Sequence, residues 1–269
     1  MRFSTVVNVI IASLLLWAVH GSETHASVDQ PAMADSLVIG AFSDVELGVP
    51  VPDGWRELTF ERGDIETPTS YEVIDRNGRR VVKAHSDGGA SGLIKEVSID
   101  PAEYPVVSWS WQVESTVEGG NYQNRSGDDY AARVYLIYDL PASDLGFRGR
   151  MAYRIIRALG YSEVPTRAIS YIWGNVAPAN EAVPNPYSDW VQMIAVRTGE
   201  EETGQWLHEV RHHLNDYVAI WGERPPKIVG VAIMTDADDT GSEVTAYYGD
   251  IVFHREHASS RNLPLQQAE

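Results

Sequence analysis

The carboxylates that could do chemistry crowd the stretch from Val231 to Phe253. There an apolar run, VAIM, gives way to Thr235-Asp236-Ala237-Asp238-Asp239-Thr240-Gly241, and a second strand-like run, AYYGDIVF, adds Asp250. Like charges this close on one hairpin repel one another unless a cation or an arginine neutralises them. A hard cation such as Ca2+ takes roughly six to eight oxygens from carboxylates and carbonyls. Asp236, Asp238, Asp239 and Asp250 are therefore the candidate metal ligands. The Asp-x-Asp-Asp spacing falls short of a full calcium-binding loop, so the role expected of the ion is structural, pinning loops. The competing reading is a solvated turn, because Asp and Gly are ordinary turn residues.

His208-Glu209-Val210-Arg211-His212 matches H-E-x-x-H. On a helix two such histidines share a face and bind Zn2+, with the glutamate as general base. A helix is expected over 205–221, yet its pattern argues against that use. Trp206, Val210, Leu214, Tyr217 and Trp221 recur every three or four residues and define the buried side, which turns His208 and His212 away from the core. A third ligand is also needed downstream. Where thermolysin-like proteases carry a glutamate this chain has Ala232, with Glu223 as the available substitute.

A second constellation, Ser126-Gly127-Asp128-Asp129-Tyr130-Ala131-Ala132-Arg133, leads into a strand over 131–138. Arg133 alternates with Val134, and its guanidinium suits a two-pronged grip on a carboxylate. An internal salt bridge to Asp128, Asp236 or Glu96 competes there with a ligand carboxylate or a sugar hydroxyl. Most of the tryptophans read as core. Trp173, followed by Gly174-Asn175, is expected near a binding edge where an aromatic face can stack on a sugar ring. Glycoside hydrolysis requires a carboxylate pair across the scissile bond, and 38 acidic residues leave no single pair marked out. The chain has no Gly-x-Ser-x-Gly elbow, no cysteine nucleophile and no phosphate-cradling glycine loop, which removes several hydrolase and nucleotide-dependent classes.

These residues must be positioned by strands, because the dominant periodicity is two. Val107, Trp109, Trp111 and Val113 fall on one face of a strand, with Ser108, Ser110 and Gln112 on the other. Similar runs cover 37–42, 71–75, 80–84, 93–99, 131–138, 169–173, 190–197, 227–234 and 246–253. Turn signals separate them, among them Asn77-Gly78, Asp87-Gly88-Gly89 and Gly119-Gly120-Asn121. About ten short strands with such turns predict a mainly β fold, an antiparallel β-sandwich of the jelly-roll kind. Two helices decorate it: 205–221, and 148–159, whose Arg148, Arg150, Arg154 and Arg157 make a basic patch.

Residues 1–26 read as a secretory signal, with Arg2, an apolar stretch over 6–19 and Thr24-His25-Ala26 at the cleavage site. That stretch is too short for a comfortable membrane span, and no second one follows. Residues 27–256 are expected to form a single domain and 257–269 a polar tail. An exported chain with no cysteine must rely on its core for stability. A formal charge of −17 argues against nucleic acid or anionic membrane as partner. It suits a periplasmic or secreted protein whose ligands are cations or neutral sugars.

Several segments carry a family resemblance. They are Gly54-Trp55, Ala84-His85-Ser86 through Gly92-Leu93, Asp100 through Tyr104-Pro105 into Ser108-Trp109-Ser110-Trp111, and Asp128 through Tyr135. Tyr171-Ile172-Trp173-Gly174, Trp206 with Arg211, Asp216-Tyr217 and Gly222-Glu223, Met234 through Gly241, and Tyr247 through Ile251 continue it. Over about 37–254 the chain resembles a bacterial family known as domain of unknown function 3047. The resemblance brings no activity. It implies that the 205–221 segment matters for Trp206, Arg211 and Asp216-Tyr217, not for H-E-x-x-H. Arg211 and Asp216 thus join Asp128, Asp129, Arg133 and Trp173 as candidate ligand-binding residues.

More loosely, Ala41-Phe42-Ser43-Asp44 and Gly249-Asp250-Ile251 look like the opening and closing strands of jelly-roll carbohydrate-binding modules. Such modules often hold a structural calcium between those ends, which by analogy would add Asp44 or Glu46 to Asp250. The expectation is an exported, non-enzymatic binding or accessory module for a glycan or envelope polymer. The alternative is a carboxylate-dependent glycan hydrolase or lyase on Asp128, Asp129, Arg133 and Asp236. The third is a zinc hydrolase through His208, Glu209 and His212.

Overall fold

The computed structural model describes residues 35–59, 67–140 and 167–256. The signal-like segment 1–26, the basic helix expected over 148–159 and the tail 257–269 lie outside the described residues. No helix among the described residues is long and apolar enough to cross a membrane. In chain order the strands are β1 (Ser36–Gly40), β2 (Arg56–Leu58), β3 (Ser70–Arg76), β4 (Arg79–Asp87), β5 (Ala90–Ile99), β6 (Val106–Val113) and β7 (Ala132–Tyr138). They continue with β8 (Ala168–Gly174), β9 (Ala182–Asn185), β10 (Ser188–Thr198) and β11 (Leu207–Arg211). Helix α1 (His213–Trp221) follows, then β12 (Ile228–Asp236) and β13 (Glu243–His254).

Two sheets pack face to face as a β-sandwich of the jelly-roll kind. The first runs β11-β6-β13-β4-β3, with β1 also paired to β13, and the second runs β2-β5-β12-β7-β8-β10-β9. All pairs are antiparallel except β8 with β10, which run parallel. Alternation explains the core. Val107, Trp109, Trp111 and Val113 of β6 are buried on its inner face, where Trp109 stacks on Tyr171 at 5.2 Å between centroids and Trp111 meets Trp173 at 5.9 Å. Aromatic pairs of this kind add about 0.5–1.5 kcal/mol beyond the area they bury. The Asn77-Gly78 turn closes β3 onto β4 with both residues left-handed, φ 58° and 81°, the geometry a two-residue hairpin demands.

Two expectations are corrected. The helix expected over 205–221 is a strand followed by a shorter helix. β11 pairs with β6 so that Leu207 stands opposite Trp111 and Glu209 opposite Trp109, leaving His208 and Val210 on the outer face. The inward carboxylate of Glu209 accepts from Trp111 Nε1 at 3.1 Å and from Arg197 Nε at 2.8 Å. A charge at a core position hides the period of two. The acidic segment, likewise, is not a hairpin. β12 belongs to the second sheet and β13 to the first, so the Asp-rich loop arches from one sheet to the other.

β13 carries a bulge. Tyr248 pairs with Trp111 and Ile251 with Trp109, so Gly249 and Asp250 together oppose Ser110. The extra residue shifts the inward set from Val244, Ala246 and Tyr248 to Ile251 and Phe253. On the other flank of β13, β4 pairs as far as Tyr248 and β1 begins at Ile251. The bulge therefore faces a gap between two strands.

Candidate functional site

The residues singled out by sequence fall into separate places. Arg133 on β7 is buried, with Nε donating to Asp236 Oδ1 at 2.9 Å and Nη2 donating to Asp236 Oδ2. Tyr130 N also donates to Asp236 Oδ1, at 3.2 Å, and the guanidinium lies 4.3 Å from the Tyr130 ring centroid. Of the partners considered for Arg133, Asp236 is the one engaged in a two-pronged bridge, with Asp128 Oδ1 farther off at 4.0 Å. Burial pushes the carboxyl pKa of Asp236 up, opposed by Arg133. Asp128 is raised for the same reason, again opposed by Arg133 and by the bond Asn185 Nδ2 donates to Asp128 Oδ2 at 2.7 Å.

Asp129, fully buried, pins the arch by accepting from Asp239 N at 3.3 Å and Thr240 N at 2.6 Å. Its carboxylate and those of Asp238 and Asp239 each place an oxygen within 4.8 Å of the others. Of the four carboxylates read from sequence, Asp238 and Asp239 thus come together, joined by Asp129 and not by Asp236 or Asp250. Asp236 is taken up by Arg133. Asp250 lies seven residues past the start of β13, some ~23 Å at strand rise, where it accepts from Ser43 N at 2.8 Å and Ser43 Oγ at 2.6 Å. Ser43, rather than Asp44 or Glu46, meets it.

Three further expectations change. Trp173 is fully buried, its Nε1 donating to Gly199 O at 3.1 Å, so it has no face for a sugar. Arg211 grips Asp216 with Nε at 3.2 Å and Nη2 at 2.8 Å, and Asp216 also accepts from Tyr171 OH at 2.7 Å. That network ties β11 and α1 to β8. His208 and His212 are four residues apart along extended chain, about 13 Å, instead of one helical turn. His212 caps α1, its Nδ1 accepting from Asn215 N at 3.3 Å. This geometry gives the pair no common zinc.

The open feature lies at the β13 bulge. A cleft of about 400 Å³ is lined by Ser43, Arg79, Arg80, Ser110, Trp206, Leu207, His208, Gly249 and Asp250. That volume falls within the ~300–1,000 Å³ of small-ligand sites. Its floor is the bulge, where a Cβ on Gly249 would sit 2.3 Å from Ser110 Oγ. Only glycine lets β6 and β13 approach so closely with the serine hydroxyl in place. The Ser43 turn and the Arg79-Arg80 start of β4 form one wall across the strand gap, and Trp206 and His208 at the head of β11 form the other. The Arg79 guanidinium stands 5.0 Å from the Trp206 ring centroid.

A family profile described as "Protein of unknown function (DUF3047)" matches residues 53–252. The chain belongs to this family. The DUF3047 match spans the acidic arch and nearly all of the cleft, Ser43 excepted. No curated protein matches. Among solved structures, the K2 cleaved adhesin domain of Lys-gingipain is similar at 11% identity and TM-score 0.37, covering 81% of this chain and 98% of that one. A family 30 carbohydrate-binding module gives 13% and 0.36, covering 86% and 93%. The family 11 xylanase from Neocallimastix patriciarum gives 10% and 0.32, covering 81% and 95%. Likenesses this distant carry no inference about what DUF3047 proteins do.

The cleft was missed from sequence because its lining comes from five segments far apart in the chain. One signal was available. An isolated glycine inside a strand pattern marks a bulge, and the apolar alternation of AYYGDIVF changes phase across Gly249-Asp250.

Proposed function

We propose that this DUF3047 protein is an exported, non-enzymatic binding or accessory module for a glycan or envelope polymer, seated in the cleft at the β13 bulge. One observation supports this above others: an indole, two guanidinium groups, an imidazole, two serine hydroxyls and a carboxylate converge on one ligand-sized opening. Sugars present apolar C–H faces edged by hydroxyls, which an indole beside fixed donors and acceptors matches. Binding rather than hydrolysis is favoured because, among the described residues, the lining includes one carboxylate, Asp250, and both its oxygens are held by Ser43. A hydrolytic pair requires two. The hydrolase or lyase alternative fares worse, since Asp128, Asp129, Arg133 and Asp236 are all buried, Arg133 being paired with Asp236 and Asp129 bonded to the arch backbone. A structural cation at Asp129, Asp238 and Asp239 is part of the proposal, bracing the arch far along β13 from the cleft.

The test is calorimetric titration with a panel of envelope oligosaccharides. Trp206→Ala should weaken binding by roughly thirtyfold, the loss of an anchoring aromatic worth about 2 kcal/mol, with no turnover in either protein. Unchanged affinity in Trp206→Ala, or release of shortened oligosaccharide by the wild type, defeats the reading.

A further inference from the structure

Resting on the cleft as the binding site, we infer that its ligand is an acidic saccharide, with a sugar ring against Trp206 and its carboxylate held between Arg79 and Arg80. Charge is the first reason. In a chain of formal charge −17, an arginine has abundant carboxylates to meet, and most of those in the described residues do meet one. Arg133 pairs with Asp236, Arg197 with Glu209 and Glu202, and Arg211 with Asp216. Arg79 and Arg80 pair with none among the described residues, although both line the cleft.

The nearby acids are committed elsewhere. Asp75 stands opposite Arg80 in the β3–β4 register, but its Oδ1 accepts from Gly78 N at 2.9 Å and so serves the turn. Asp250 faces the cleft with both oxygens given to Ser43. Arg80 donates only Nη1, at 3.3 Å to Val45 O, and a guanidinium carries five N–H donors and stays charged at any ordinary pH. Arg79 lies over the Trp206 ring, 5.0 Å from its centroid, which fixes a cation on one face of the indole and leaves a sugar ring the other face. Arg79 and Arg80 are consecutive at the start of β4 and both line the cleft, and each guanidinium with donors to spare is a fork for a planar carboxylate.

The experiment titrates the full mature protein with a uronic-acid oligosaccharide and with the same oligosaccharide after its carboxyl groups are reduced to alcohols. The expected result is that the uronate binds and the reduced form binds about tenfold more weakly or worse, as loss of a charge-assisted contact implies. Arg79→Gln and Arg80→Gln should each cost the uronate about tenfold while leaving the reduced form unchanged. Arg224→Gln, an exposed arginine outside the cleft, should change neither. Equal binding of both oligosaccharides, with no effect of the arginine variants, overturns the inference. If Trp206→Ala then abolishes both, the cleft still stands as a glycan site. Failure of the uronate to bind while a neutral glycan binds in a Trp206-dependent way also overturns it. The reduced ligand tests the same point with no altered protein, so misfolding of a variant cannot mask the answer.

Discussion

Mild acid should loosen this fold through His213, the third histidine of the segment that mimics a zinc motif. The side chain is fully buried between α1 and β13, with Nε2 at 2.7 Å from Tyr104 O and the ring edge-on to Phe253 at 5.4 Å. Nδ1 has no hydrogen-bond partner, so a proton added there would be buried without an acceptor. Burial lowers the imidazole pKa from 6.5 to about 4, and the neighbouring His212 adds to the fall. The unfolded chain therefore takes up a proton below 6.5 that the folded chain refuses. Stability is intact above that value and declines as pH falls towards 4.

At pH 5 the solution lies 1.5 units below the unfolded value, which at 1.36 kcal/mol per unit amounts to about 2 kcal/mol. Urea unfolding at pH 7 and pH 5 measures it in the wild type and in His213→Gln, whose amide can still donate to Tyr104 O. The wild type should lose about 2 kcal/mol more than the variant over this interval. Carboxyls raised by burial, Asp128 and Asp236, act with the opposite sign but equally in both proteins, so they cancel. Equal losses would refute the reasoning.

Other outcomes follow from the same geometry. Arg133→Met leaves the Asp236 carboxylate buried without its partner and should cost about 3–5 kcal/mol in urea unfolding, with part of that loss recovered when Asp236→Leu is added. Calcium should raise the melting temperature of the chelator-treated protein, and Asp238→Asn should abolish the rise; an equal rise in both would place the cation elsewhere. Gly249→Ala should weaken glycan binding by forcing β13 away from Ser110, and Ser110→Gly in the same chain should recover part of it, less what the Ser110 hydroxyl itself contributes, read by calorimetry. Raising salt should weaken an acidic ligand far more than a neutral one, because exposed charges are screened beyond ~8–10 Å at ordinary ionic strength.

The strands were legible where each residue obeyed one rule. In β6, Val107, Trp109, Trp111 and Val113 alternate with polar neighbours, and so they sit in the structure. β11 was illegible because two of its inward positions, Glu209 and Arg211, are charged, Glu209 being satisfied by Trp111 and Arg197, and Arg211 by Asp216 at the first turn of α1. With that alternation disguised, Trp206 and Val210 joined Leu214, Tyr217 and Trp221 in a false helical stripe; Val210 is in fact 60% exposed. The acidic arch was legible as a cluster of carboxylates, but not in its wiring. Spacing cannot distinguish a hairpin from a crossing between sheets, and that crossing sends Asp236 to Arg133 and Asp250 to Ser43. The cleft depends on a strand gap and a bulge, properties of pairing rather than of any one segment.

The most direct test of the cleft is chemical-shift mapping by NMR on the assigned protein as an envelope oligosaccharide is added. Perturbations should concentrate on the Trp206 indole N–H and the backbone amides of Ser43, Ser110, His208 and Gly249. Perturbations confined to the arch, from Asp236 to Gly241, with Trp206 silent, would contradict the account.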